Sequence, residues 1–89
     1  MSTYVKDPEA VLDYTVDWTA WLAGDTISTL TVTAITAGIT VDSSSNTTTA
    51  ATAWISGGTA GNNYDVRFHI VTAAERTDDR TITLIVRQR

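Results

Sequence analysis

An antiparallel β-sandwich of six to seven strands is predicted for this chain by three observations. Apolar and polar side chains alternate strictly in several stretches, β-branched residues are enriched, and turn residues recur at nearly regular spacing without a helical period long enough for a crossover. Threonine alone supplies about a fifth of the 89 residues and, with valine and isoleucine, suits a pleated, half-buried surface. A small barrel is the alternative closure of the same strands.

The alternation is strongest from Ala10 to Trp18, where Leu12, Tyr14, Val16 and Trp18 share one face and Asp13, Thr15 and Asp17 take the other. Thr19 to Asp25 breaks the pattern, so Trp21 and Leu22 are expected to fold back in a short helical turn that plugs the sandwich edge. The next strand runs from Thr26 to Ala34, with Leu30 and Val32 as its core contacts and Ile27 among the threonines of the opposite face. Gly38 to Asp42 predicts a short strand ending at Ser43-Ser44-Ser45-Asn46, whose side chains bond local backbone and favour a turn. Thr47 to Ser56 follows, anchored in the core by Trp54, and Gly57 to Asn63 closes it with residues tolerant of positive φ.

Tyr64, Val66, Phe68 and Ile70 then alternate with Asp65, Arg67, His69 and Val71. Ala73 to Asp79 is predicted to be a loop, and Ile82, Leu84 and Val86 face inward on a last strand from Thr81 to Arg87, giving a terminal hairpin. Tyr64, opening the penultimate strand after a glycine loop, matches the tyrosine corner of immunoglobulin-like and fibronectin type III-like sandwiches. Residues 1–9 form an extended N-terminal arm before a single domain over 10–89. Within it Ser2 to Glu9 is either a frayed tail or a segment that orders on a partner through Tyr4 and Val5, with Pro8 confining its neighbours to extended conformations.

Eighty-nine residues support one small core, and the absence of cysteine removes both a disulfide framework and a thiolate metal site. No segment approaches the roughly 20 apolar residues of a membrane span, and the N-terminus lacks the apolar stretch of a secretory signal. The expectation is a chain with no membrane partner, compatible with a reducing cytoplasm. A net charge of -4 argues against nucleic acid as a partner. The charge is also uneven. Residues 1–60 hold six acids against Lys6 alone, and residues 61–89 hold four acids against five arginines. If these halves occupy different faces, copies could meet acidic side to basic side in a ring.

Chemistry has few candidates. His69 has no metal-ligand companions and sits beside Arg67 on a polar face; Ser43, Ser44 and Ser45 lack a nucleophile elbow. Asp25, Asp42, Asp78 and Asp79 lack the spacing of a calcium loop, and Arg76 to Arg80 is better explained as an ion-paired loop that fixes the hairpin. Trp18 and Trp54 are assigned to the core in preference to a sugar-binding platform, with Trp21 left open. No residue is assigned to catalysis, to cofactor binding or to a metal.

Several blocks nevertheless share a pattern. Lys6 to Tyr14 through Trp18 and Trp21-Leu22, then Asp42-Ser43-Ser44-Ser45-Asn46-Thr47, Trp54 to Gly61 and Arg76 to Ile82, in this order, resemble a family of small tailed-phage and prophage proteins described as fiber-tail adaptors or related structural proteins. Leu30 departs from the aromatic residue expected there in many relatives, and Arg67-Phe68-His69 is bulkier and more basic than the expected run. The resemblance implies a non-enzymatic virion component without cofactors, made and assembled in the host cytoplasm. It further implies several copies per particle and partners among tail, connector or fiber proteins. The alternative, a glycan- or host-surface-binding module, requires at least one exposed tryptophan.

Overall fold

Seven strands and one helical turn make up the domain in a computed structural model that describes residues 2–7 and 10–87. Pro8 and Glu9 of the predicted arm lie outside the described residues. In chain order the elements are β1 (Ser2–Lys6), β2 (Leu12–Asp17), α1 (Thr19–Leu22), β3 (Ile27–Ala34), β4 (Ile39–Asn46), β5 (Ala50–Gly57), β6 (Asn63–Thr72) and β7 (Thr77–Val86). They form a four-stranded sheet in the order β1-β7-β6-β3 and a three-stranded sheet in the order β2-β5-β4. Every pair is antiparallel except β1 with β7, which is parallel. The split of β2, β4 and β5 from β3, β6 and β7 is that of an immunoglobulin constant-type sandwich, with the first strand moved across to the last.

The alternating residues of β6 and β7 build most of the core. Val66, Phe68, Ile70, Ile82, Leu84 and Val86 are fully buried, and Tyr14, Ile39, Ala51, Ala53 and Ile55 face them from the smaller sheet. The predicted tyrosine corner is present: the Thr59 N–H donates to the Tyr64 hydroxyl at 2.9 Å. The ring packs so closely on Gly38 (φ +116°) that an added Cβ would stand 2.8 Å from Tyr64 Cε1. This close approach and the backbone angle both demand glycine there.

Four expectations are corrected by the fold. Ile27 is buried and joins the core side instead of the opposite face, because a bulge between Ile27 and Thr29 shifts the phase of β3, while Leu30 and Val32 pack half-buried against the core from this edge strand as expected. Ser43 to Asn46 continues β4 past a second bulge, between Val41 and Ser43, and the turn falls later, at residues 47–49. Thr77 to Arg80 belongs to β7; only residues 73–76 form the connection. Trp54 is 44 % exposed and does not enter the core.

Residues 2–6, placed by the sequence before the first strand, extend along the chain's own β7 as β1. Lys6 lies on the core side of that strand, fully buried, and its Nζ donates to the carbonyls of Gly57 at 2.7 Å and Asp7 at 2.9 Å. Burial pushes its pKa below the usual lysine value, against the opposing pull of Asp7 and Asp42. The Tyr4 ring meets Tyr14 across the sheets at a centroid distance of 5.0 Å.

One end of the sandwich is sealed where β2 runs into α1. Trp18 is fully buried. Its backbone N–H donates to Thr49 O, and its indole Nε1 donates to Asp78 Oδ2, both at 2.9 Å. Arg80 lies over the Trp18 ring at 5.1 Å and ion-pairs with Asp78 at 3.7 Å. Leu22 is buried beneath α1, and Arg76 binds the Leu22 carbonyl at 2.8 Å, stacks on Trp21 at 4.4 Å and pairs with Asp25 at 3.2 Å. Asp25 is held below the usual carboxylate range chiefly by the Thr72 hydroxyl, aided by the N–H groups of Thr26 and Ala74 and by Arg76, with burial opposing.

Two outcomes follow for stability. Phe68→Ala should cost about 3–5 kcal/mol, a large share of the roughly 5–15 kcal/mol available to a domain, as measured by urea unfolding. Asp25→Asn should lower the melting temperature at pH 7. Because the folded pKa of Asp25 lies below its unfolded value of about 3.9, its contribution is complete above that pH. It is lost as pH falls through the folded pKa, so the difference between variant and wild type should close in acid melts.

Candidate interaction surface

The outer face of the β2-β5-β4 sheet centres on Trp54. Its position follows from the strand's two phases: Ala51, Ala53 and Ile55 on one side, Thr52, Trp54 and Ser56 on the other. Each phase offers one large side chain. The space opposite is already filled by Tyr14 and the large residues of β6 and β7, so the face with two alanines turns inward and carries Trp54 outward. Asp13 of β2 and Ser43 of β4 are its cross-strand partners.

The surround is built from small polar groups. The hydroxyls of Thr15 and Thr52 bond at 2.9 Å, and Ser56 Oγ donates to Asp42 Oδ1 at 3.0 Å. Asp17, at the end of β2, accepts from the Thr19 hydroxyl and N–H. These bonds, aided by Arg80, hold its carboxyl below the usual range, with burial opposing. Leu12, which opens β2, and Val11 just before it are 37 % and 53 % exposed. A single exposed aromatic among small hydroxyl side chains can stack on a ligand or fill a pocket on a protein partner.

Charge is divided between the sheets. β2, β4 and β5 contain Asp13, Asp17 and Asp42 and no base, whereas the strands of the other sheet mix Lys6, Arg67, His69 and Arg80 with Asp65, Asp78 and Asp79. On the larger sheet Arg67 is exposed, His69 pairs with Asp79 across β6 and β7, and Asp65 accepts from Thr83 Oγ1 at 2.8 Å.

The chemical candidates are not gathered into one site. Ser43, Ser44 and Ser45 lie in β4 and His69 lies in β6 of the opposite sheet. Asp25 is engaged by Arg76, Asp42 by Ser56, and Asp78 by Trp18 and Arg80. Among the described residues, no group of three or more His, Cys, Asp or Glu side chains is placed to hold a metal ion. No helix among them is long and apolar enough to cross a membrane. Ala51, Ala53 and Ile55 form the wholly apolar phase of β5, but it is the bulk of the opposite sheet that turns this phase, and not Trp54, inward.

Comparison with known proteins returns one family model, described as podophage GP4 fiber-tail adaptor protein gp77, which matches residues 6–85. No curated protein matches the chain. The matched span runs from the last residue of β1 to the penultimate residue of β7, and so takes in the helical turn, the tyrosine corner and both sheets. With nearly the whole fold inside that match, the chain belongs to the podophage fiber-tail adaptor family.

Proposed function

We propose that the chain is a structural component of the virion that joins tail or connector proteins to fiber proteins through protein–protein contacts, without an enzymatic step. Family membership over residues 6–85 supports the adaptor role. The single observation that carries the contact is Trp54, exposed at the centre of a sheet face ringed by Thr15, Thr52, Ser43 and Ser56. A large aromatic among small polar neighbours is the anatomy of an interface hot spot, where one anchor supplies most of the energy and its surround excludes water. The domain measures 41 × 20 × 17 Å, so its broad side offers an area of the order of the ~800 Å² per partner of a standard interface. Assembly takes place in the host cytoplasm, with copies arranged in a closed ring about the tail axis.

The same exposed tryptophan supports a second reading, a module that binds glycans or a host surface by stacking a sugar ring on the indole, with Asp13 and the nearby hydroxyls as hydrogen-bonding groups. Neither nucleic acid nor membrane is a partner under either reading.

Quantitative mass spectrometry of purified phage particles should find this chain at a fixed, integral copy number, as a symmetric ring requires. Trp54→Ala should leave the chain folded and sharply reduce its incorporation; complete absence of the wild-type chain from particles would remove the adaptor reading. Tryptophan emission separates the two readings. Trp54 should account for the component accessible to acrylamide, lost in Trp54→Phe, and that component should not respond to oligosaccharides. A saturable shift on adding sugar, abolished by Trp54→Phe, would favour the glycan module.

A further inference from the structure

We infer that the edge formed by β2 and the first half of β7 receives an extended, basic segment of another virion protein by strand addition. This deepens the adaptor reading and rests on it: a protein that joins two others needs a second surface besides the Trp54 face.

The edges of the two sheets are not alike. β3 and β4, which pack beside each other on one side of the sandwich, both carry bulges, at Ile27/Thr29 and at Val41/Ser43. Bulges twist an edge and interrupt its ladder, a common means of preventing further pairing. The other side is not protected in this way. β2 pairs with β5 in unbroken register, so its free edge is regular. On the larger sheet, β1 covers Ile82 to Val86, while Thr77 to Arg80 pair, among the described residues, with β6 alone. Arg80 donates to the Asp17 carbonyl at 3.1 Å and Trp18 to Asp78 at 2.9 Å, which sets the two uncovered edges side by side.

The backbone phase shows which groups are open. The Val86 N–H donates to Asn62 O at 3.0 Å and its carbonyl accepts from Gly61 at 2.9 Å, both on the β6 side; the Arg87 N–H turns the other way, to Lys6 O at 3.0 Å. Alternation along a strand then directs the odd-numbered residues of β7 toward β1. Thr83 and Ile85 face β1 there, whereas the Asp79 backbone groups and the Thr81 N–H meet no partner on β1 among the described residues. A groove of about 820 Å³ includes this position, lined by Thr15 and Asp17 of β2 and by Asp79 and Thr81 of β7, and reaches Asp65 of β6 and the exposed Ile35 beyond β3. Unpaired backbone donors and acceptors along a groove are met by the backbone of an extended chain.

Charge identifies the kind of chain. Asp17, Asp65 and Asp79 border the groove; Asp79 pairs with His69, Asp17 and Asp65 are bonded only by neutral groups of Thr19 and Thr83, and Arg80, the one base of the lining, is taken up by Asp78, so the border keeps a negative balance. A segment bearing lysine or arginine complements this border. A second copy does not: its own regular edges carry Asp13, Asp17, Asp78 and Asp79, so edge-to-edge pairing of two copies sets acids against acids.

Hydrogen–deuterium exchange on the isolated chain and on purified particles tests the inference. In the isolated chain the Asp79 and Thr81 amides should exchange far faster than those of Thr83 and Ile85, and in the particle they should slow by at least roughly tenfold. Thr81→Pro removes a donor that faces away from β6 and has no strand partner among the described residues, so the variant should fold with wild-type far-UV dichroism and fail to incorporate. A benzophenone amino acid in place of Thr81 should cross-link, on irradiation of particles, to a lysine- or arginine-bearing stretch of a different virion protein. The inference is overturned if the chain is present in particles while Asp79 and Thr81 still exchange at the free rate, if folded Thr81→Pro incorporates normally, or if the cross-link joins two copies. In those three cases the adaptor reading stands. Absence of the wild-type chain from particles defeats that reading and this inference together.

Discussion

The burial of Trp18 is the constraint on which the rest of the fold depends. Two sheets of unequal width must be held in register with no disulfide and no metal centre among the described residues, and at one end this side chain joins them. It ends β2, opens α1 and sends its indole N–H to Asp78 on the other sheet at 2.9 Å. An indole N–H in a dry core must find an acceptor, and the chosen acceptor is a carboxylate whose charge is balanced by Arg80, itself lying on the indole face. Core packing, hydrogen bonding and ion pairing are thereby concentrated in one cluster. It explains why charged residues stand on the core-facing phase of β7 at Asp78 and Arg80, where Ile82, Leu84 and Val86 continue the same phase as apolar core.

Closure at that end leaves the outer surfaces free to differ. Alanines at 51 and 53 admit the bulky residues of the opposite sheet, so the smaller sheet buries little of its own bulk and presents Trp54 to solvent. The larger sheet buries its big side chains and shows threonines, Arg67 and the His69–Asp79 pair outside. Bulges distort the edges on one side of the sandwich, while β2 and the start of β7 remain regular on the other. A small rigid body with one aromatic face and one open edge suits a part that connects others, since neither feature calls for the chain to change shape.

Most of the strands were visible as period-two alternation, because a strand with one face in a core must alternate. The Tyr64 run and the Ile82 run show this directly, and the tyrosine corner was legible from a glycine loop before a strand-opening tyrosine. Legibility failed where alternation carried no large residue to mark the core. Ser43 to Asn46 has turn-forming side chains yet continues β4, since backbone pairing with β5 outweighs local preference. Ile27 appeared on the polar face because a bulge, which inserts a residue into the phase, leaves no mark in the sequence. Thr77 to Arg80 looked like a loop because charged residues there are satisfied by Trp18 and by one another, partners distant in the chain.

The sequence by itself determined the class of fold, the hairpin, the helical turn, the corner and the uneven charge. These follow from local periodicity, turn chemistry and residue counts, which need no knowledge of what lies opposite. Tertiary structure alone decided that residues 2–6 pair with β7, that Lys6 is buried against Gly57, that Trp54 faces solvent and that the start of β7 pairs, among the described residues, only with β6. Each of those outcomes is a competition for space or for hydrogen bonds between segments far apart in the chain, and such a competition is settled only when both segments are in place.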